Sequence, residues 1–421
     1  MKVRRWLCML CVGGGLCLCS AAASAVELWS SDDGRRYYTL DTALKSTSLL
    51  ARAPADVQLY PERWSAASLW RWRLAGGGQV REGLNIHVAY EQRARTLSQG
   101  VGGAGGDGIL FGAGQVPYRL TPLDGGLVQI GDSFAYRHEL DRLQAAFRLG
   151  RGELIVGRQA IGWGRGVLLS AVDFFAPFTP LESDREWRRG IDAVRLRAPL
   201  GDLYSLEGVA AFSQKLATSA FLARLQGYWG DLDGEMIVGR RRRDWLVAAA
   251  FSAPVGVAEL HAEAALLALP DSLPTGESQV LQAVLGGSYH WDRWGGFLLL
   301  GEYHYAGLGA PSSTTAATWR ADPSYGERLQ LGDVLVEARH VGALQISWGL
   351  GFAAPLSCGW VFSPQDQSGV GTLALSWLFS DALTLAASVY APHGKKPREG
   401  RLRSAYGGAA HSALLQISFY Y

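Results

Sequence analysis

Beyond residue 19 this chain of 421 residues has a single cysteine, Cys358. Cys8, Cys11, Cys17 and Cys19 all fall in an N-terminal stretch, so no intramolecular disulfide can form in the rest. That excludes a small disulfide-stapled secreted domain. The chain also lacks, past that stretch, any uninterrupted apolar run long enough for a transmembrane helix. It has no dominant charge: 40 Lys and Arg stand against 38 Asp and Glu. A globally basic nucleic-acid binder is therefore not indicated.

The N-terminal stretch carries Lys2, Arg4 and Arg5, an apolar run from Trp6 to Cys19, and then AAASA. This is the pattern of a cleaved secretory signal over residues 1–25, with Ala23-Ser24-Ala25 as the cleavage site. A lipoprotein reading fails because Cys17 follows Leu16 and Cys19 follows Leu18, where a small residue is needed. Residues 26–421 remain as one domain, with 37 basic against 38 acidic residues once the three leader cations are removed. The first strand begins near residue 37, which leaves no room for a separate plug domain.

What the chain does have is alternation. In HELDRLQAAFRLG, Leu143, Ala145, Phe147 and Leu149 share one face while Arg142, Gln144, Ala146 and Arg148 share the other. Period two means a strand with one apolar and one polar face. The run turns at Arg151-Gly152 and returns as ELIVGRQAIGWG; a long loop follows, then a strand in which Val194 and Leu196 oppose Arg195 and Arg197. Similar strands are expected at 37–47, 68–75, 84–92, 203–212, 220–229, 232–240, 245–253 and 257–269. Others are expected at 280–291, 295–305, 334–349, 355–362, 370–379, 382–390 and 412–421. AELHAEAALLAL has helix-forming composition and is assigned to a strand because its neighbours are strands. The total is about 18, within a range of 16–20. Long connections follow strands 1, 3, 5, 13 and 17, and short ones follow the even-numbered strands. That segregation predicts an all-β, transmembrane antiparallel β-barrel with short periplasmic turns and long external loops, in the outer membrane of a Gram-negative bacterium. The last strand, SALLQISFYY, alternates to a final aromatic, Tyr421, a pattern suited to recognition by the barrel-insertion machinery. Aromatics near strand ends (Trp229, Trp245, Trp291, Trp294, Trp360) suit interfacial girdles. The glycine-rich run at 100–108 lacks the strand and helix a phosphate loop needs.

Together these features resemble the outer-membrane, porin-like barrels of the alginate-export type. The resemblance is carried by GRQAIGWGRG at 157–166, then Asp173, Phe175, Pro177, Pro180, Asp184, Arg185, Glu186 and Arg189-Gly190-Ile191-Asp192-Ala193, with LDRL at 140–143. It implies an eighteen-stranded barrel that moves polar or acidic solutes, with polysaccharide export among the possibilities.

If the apolar faces meet lipid, then Arg71, Arg73, Arg148, Arg195 and Arg197 face the lumen with Glu91, Glu207 and Glu302. Arginine's planar fork suits carboxylate or phosphate, although cross-strand ion pairing explains the same residues. The loop over 164–189 carries Arg165, Arg185, Arg188 and Arg189 beside Asp173 and Asp184, with Asp192 and Ala193 after it. It is too apolar for a solvated tip and either folds into the lumen as a constriction or lies over the rim. The first placement is favoured. The clusters Arg240–Arg243 and HGKKPREGRLR are expected on the external side, beside lipopolysaccharide phosphates. The function expected is a pore for small polar or anionic solutes, with saccharides or polysaccharide export among the candidates, and without cofactor, metal or nucleic acid. The alternatives are a non-conducting structural or adhesion barrel and, less favoured, a lipid hydrolase, for which no nucleophile motif is seen.

Overall fold

The structure, a computed structural model, describes residues 26–98, 115–270, 274, 276–293, 296–350 and 353–421. The leader, the glycine run at 100–108, Trp294 and Gly295 lie outside the described residues.

Twenty strands form one sheet. In chain order they begin β1 (Val26–Ser30), β2 (Tyr37–Arg52), β3 (Trp64–Arg81), β4 (Leu84–Leu97), β5 (Asp124–Ile130), β6 (Phe134–Leu149) and β7 (Gly152–Gln159). There follow β8 (Ile191–Leu200), β9 (Tyr204–Ala211), β10 (Ala220–Trp229), β11 (Leu232–Arg241), β12 (Asp244–Val255), β13 (Ala258–Ala268) and β14 (Gln279–Trp291). The last are β15 (Phe297–Ala306), β16 (His340–Gly349), β17 (Pro355–Ser363), β18 (Ser368–Ser380), β19 (Leu383–His393) and β20 (His411–Tyr420). β20 pairs antiparallel with β2, from Ala43↔Tyr420 to Arg52↔His411, and so closes the ring. β1 and β5 are accessory strands laid against β2 and β6, which leaves a closed barrel of 18 staves. Neither accessory strand is marked in the sequence.

The staves join by short turns at one end, such as Gly230-Asp231 and Asp381-Ala382, and at the other by the long segments and the two short links 242–243 and 364–367. Outward residues are apolar: Met236 and Val238 on β11, Leu260 and Leu266 on β13, Leu415 and Ile417 on β20 are all exposed. Paired aromatics mark both ends of that band. Tyr204–Trp229, Phe297–Trp348 and Trp377–Phe379 lie at the short-turn end, and Trp360–Phe362 and Phe212–Phe221 at the loop end.

The core lies inside the barrel. Buried Trp163, Leu169, Val172, Phe174 and Phe175 from residues 160–190 pack with Leu308, Trp319, Tyr325, Val334 and Val336 from residues 307–339. They cover the inward faces of β8 to β16, including Val209, Leu222, Ile237 and Leu246. Two short helices, α1 (Ser313–Arg320) and α2 (Pro323–Gln330), belong to this filling and are not anticipated by the strand pattern. The side chain of Ser312 caps the first, and Asp322 caps the second just before Pro323. Strands β2, β3 and β4 run longer than expected, to Arg52, Arg81 and Leu97, and two other limits fall short for one reason. β16 starts at His340 rather than 334, and β7 stops at Gln159 rather than 164, because the flanking residues leave the wall to pack in the lumen.

Candidate functional site: the lumen and its inward loop

Residues 160–190 leave β7 and cross the lumen. Gly164, at φ +107°, and Gly166 make the entry possible. A Cβ on Gly166 would sit 1.8 Å from the Leu169 carbonyl oxygen, and one on Gly164 2.6 Å from Ser170 Oγ. The backbone then wraps around two carboxylates on the opposite wall. Glu263 of β13 accepts the N–H groups of Arg165, Gly166 (2.6 Å), Ala171 (2.6 Å) and Val172 (3.2 Å), and the Ser170 hydroxyl (2.9 Å). Glu302 of β15 accepts those of Val167 (2.5 Å), Leu168 (2.9 Å) and Leu169 (2.7 Å). These charge-assisted bonds satisfy backbone groups that would otherwise be buried unpaired.

The far half of the loop is tied elsewhere. Lys45 of β2 holds Asp184 at 2.9 Å and Glu186 at 2.5 Å, and Arg71 of β3 reaches Asp184 at 3.3 Å. The Tyr420 hydroxyl donates to Glu186 at 2.7 Å. Trp187 lies under Lys45 and Arg73, 4.1 and 5.1 Å from its ring centre. The loop therefore touches the wall on both sides of the barrel.

The candidate residues divide by partner. Arg165 pairs with Asp233 at 2.5 Å, and Arg188 with Asp173 and the Ala176 carbonyl at 2.7 Å. Arg195 pairs with Glu207 at 2.6 Å; Arg197, more exposed, lies 3.8 Å from Glu153 and 3.6 Å from Glu207. Arg185 donates to the carbonyls of Thr179 (2.7 Å) and Val167 (3.4 Å). Asp192 is held by Arg158 at 2.6 Å and caps the N–H of Leu120 at 2.8 Å. Arg189 lines an outer cavity, and Asp184 belongs to the Lys45 cluster. Arg148 does not join them: it is exposed beside the short turn, opposite Glu153. Arg73 and Glu91 pair directly, and Arg73 also meets Asp141 at 2.8 Å.

Burial and neighbouring cations compete at the loop carboxyls. Burial pushes Asp173 and Glu182 above the usual carboxylate range, against the pull of Arg188 on the first and of the Thr179 N–H and Arg185 on the second. It acts on Asp184 too, but there Lys45 and Arg71 outweigh it and hold the group below its ordinary value.

One cluster is corrected. Arg241 is not a surface cation: it is buried, donates to the Phe174 carbonyl at 3.0 Å and pairs with Asp333 at 2.5 Å. Arg242 adds a second bond to Asp333 at 3.2 Å, so the turn clamps both inward loops. The cluster at 393–403 does present Lys395, Lys396, Arg398, Arg401 and Arg403 to solvent. Sequence reasoning missed Glu263, Lys45 and Glu182. Glu263 carried a signal, being an acid in alternation with His261, Ala265 and Leu267 on the inward face of its strand.

The space left over narrows inward. At the loop end a cavity of about 600 Å³ is lined by Arg119, Arg137, Arg189, Lys215 and Arg242, with Asp124, Glu139 and Glu327. It shares Gln115, Pro117, Arg189 and Leu331 with a neck of about 30 Å³ beside Phe175 and Phe178. Glu182 lines both that neck and a slot of about 50 Å³ between residues 180–183 and the inner faces of β16 to β19. With about 10–15 Å³ needed per water, neck and slot each hold only a few waters.

No family model matches the chain, and no characterised protein matches it in sequence. Solved structures match in fold. OccAB4 of Acinetobacter baumannii superimposes with a TM-score of 0.54 at 10% identity, over 91% of this chain and 98% of that one. OccK9 (OpdG) of Pseudomonas aeruginosa gives 0.54 at 11% identity, also over 91% and 98%. The outer membrane protein opdK of Pseudomonas aeruginosa gives 0.51 at 8% identity, with the same coverage. At such identity the likeness is one of fold.

Proposed function

We propose that this chain is a porin-like pore of the bacterial outer membrane, for passive passage of small polar solutes, with residues 160–190 as its constriction. The observation that carries this reading is the run of vestibule, neck and slot beside an inward loop pinned to both walls. The apolar outer band with aromatics at each rim supports the membrane placement, and the fold it shares with an outer membrane protein agrees with it. In that placement the short turns face the periplasm and the cationic segment at 393–403 faces outward, toward lipopolysaccharide phosphates.

The narrowness favours small solutes over a polysaccharide strand. It leaves the alginate-export resemblance as one of architecture, carried by the loop and its glycines. Selection by charge is limited because Arg165, Arg188 and Arg195 each face a carboxylate. No catalytic role is proposed.

Planar-bilayer recording of residues 26–421 tests the reading. Discrete conductance steps are expected, and removing residues 168–183 with a short Gly-Ser bridge is expected to enlarge them severalfold. A folded, heat-modifiable barrel that passes no current would instead favour a structural barrel. Equal conductance with and without the loop would move the constriction elsewhere.

A further inference from the structure

The slot is unlike the rest of the lumen. From β2 to β11 the inner wall is crowded with ion pairs, whereas from β16 to β20 it carries hydroxyls and amides. The registers set these in rows. Gln345, Gly359, Thr372 and Tyr390 lie at one level across β16 to β19, since Gln345↔Gly359, Gly359↔Thr372 and Thr372↔Tyr390 are paired. One level toward the short turns lie Ser347, Ser357, Ala374 and Ser388, joined in the same way. Gln345, Ser357, Thr372, Ser388 and Tyr390 line the slot, and among the described residues no Lys or Arg does. Facing them across the gap are Leu168, Pro180 and Leu181.

Two features point to a ligand. Ser388 is 4% exposed and its Oγ makes no well-formed hydrogen bond within the chain, only a loose contact with the Tyr390 side chain beside it in the slot. Buried hydroxyls without partners are costly, and a solute's own hydroxyls can satisfy them. The slot is also two-faced, with the polar rows along the strand wall and, on the loop side, the apolar strip of Leu168, Pro180 and Leu181 beside Glu182 and Ser183. A pyranose or a polyol has that shape, presenting hydroxyl edges and C–H faces. An anion would gain little here, since it would shed its water beside Glu182, and Arg185, the cation whose field reaches the slot, is already taken up by the Thr179 and Val167 carbonyls.

We infer that the slot between residues 180–183 and the inner face of β16 to β19 is a recognition site for neutral polyhydroxylated solutes, sugars or sugar alcohols. The inference rests on the pore reading and names its substrate class. The apolar strip of Leu168, Pro180 and Leu181 takes the C–H face, while the two rows exchange hydrogen bonds with the hydroxyls. The slot holds only a few waters, so a sugar enters as residues 180–183 draw back, and an occupied slot blocks the ion current.

Glucose, sorbitol and gluconate, similar in size, are added to single channels of the intact chain in a planar bilayer, and block is scored against each channel's own conductance. Glucose and sorbitol are expected to block at concentrations about tenfold lower than gluconate. Replacing Thr372→Val and Ser388→Ala together is expected to raise the half-blocking glucose concentration by about tenfold, the size of losing one to two neutral hydrogen bonds. Should the double variant fail to assemble, Ser388→Ala alone is expected to raise it about threefold. Gluconate blocking as well as glucose, or variants that keep the parent's block, would overturn the inference and leave the pore standing. Absence of any current from the intact chain would overturn the pore reading, and this one with it.

Discussion

Glu182 sits where neck and slot meet, accepting the Thr179 N–H at 3.0 Å, and burial raises its pKa. It therefore takes up a proton at higher pH than a free glutamate, whose pKa is about 4.3. The sign follows: as pH falls from neutral, the slot loses its negative charge before ordinary carboxylates titrate. Reversal potentials under a salt gradient are expected to shift toward anions over that interval. Glu182→Gln is expected to show the shifted value already at neutral pH and to lose the step. A parent whose selectivity changes only in the ordinary carboxylate range would show that Glu182 does not face the passage. Nothing in the local sequence marks this residue, because a loop has no period from which to read the direction of a side chain. Its neighbours Arg185 and Arg188 were legible as loop charges, but not their choice of a carbonyl and of Asp173 as partners.

At the scale of an element, the loop over 160–190 depends on β13 and β15. Glu263 gathers four backbone N–H groups and one hydroxyl. A glutamine there has one carbonyl oxygen and an NH₂ that repels N–H donors, so several buried groups lose their acceptor, at about 1–3 kcal/mol each. Glu263→Gln is expected to leave the barrel folded and heat-modifiable, to open residues 165–172 to added protease, and to raise conductance noise. Unchanged protease resistance would show that the loop is held by its apolar core alone. The strand bearing this acid, AELHAEAALLAL, reads locally as a helix; β12 and β14 on either side make it a strand. Pairing overrides propensity there. The glycines of GWGRG were legible as a motif, and their reason, the close approach to Leu169 and Ser170, belongs to the folded loop.

The whole molecule is organised outside-in: apolar residues face outward, the ion pairs inward, and a second apolar core fills part of the lumen. Cys358 tests that arrangement. It is exposed on the outer face of β17, paired with Ile346 and Leu373, both exposed. In lipid vesicles it is expected to resist a membrane-impermeant maleimide and to react fully once denatured. Rapid labelling in intact vesicles would place that face in water and sink the transmembrane orientation.

The sequence by itself determined the barrel, its eighteen staves, the segregation of long loops to one end, and which face turns outward in strands such as β6, β8 and β20, where the alternation is clean. Those features follow from period-two alternation and turn spacing, which are local and repeat many times along the chain. Only the tertiary structure decided what fills the lumen. Glu263 meets Arg165 across 98 positions of sequence and Lys45 meets Asp184 across 139, contacts that strand period cannot encode. The rows of Gln345, Thr372 and Tyr390 and of Ser357 and Ser388 likewise arise from register between strands, because each strand alone offers only isolated polar residues on its inner face.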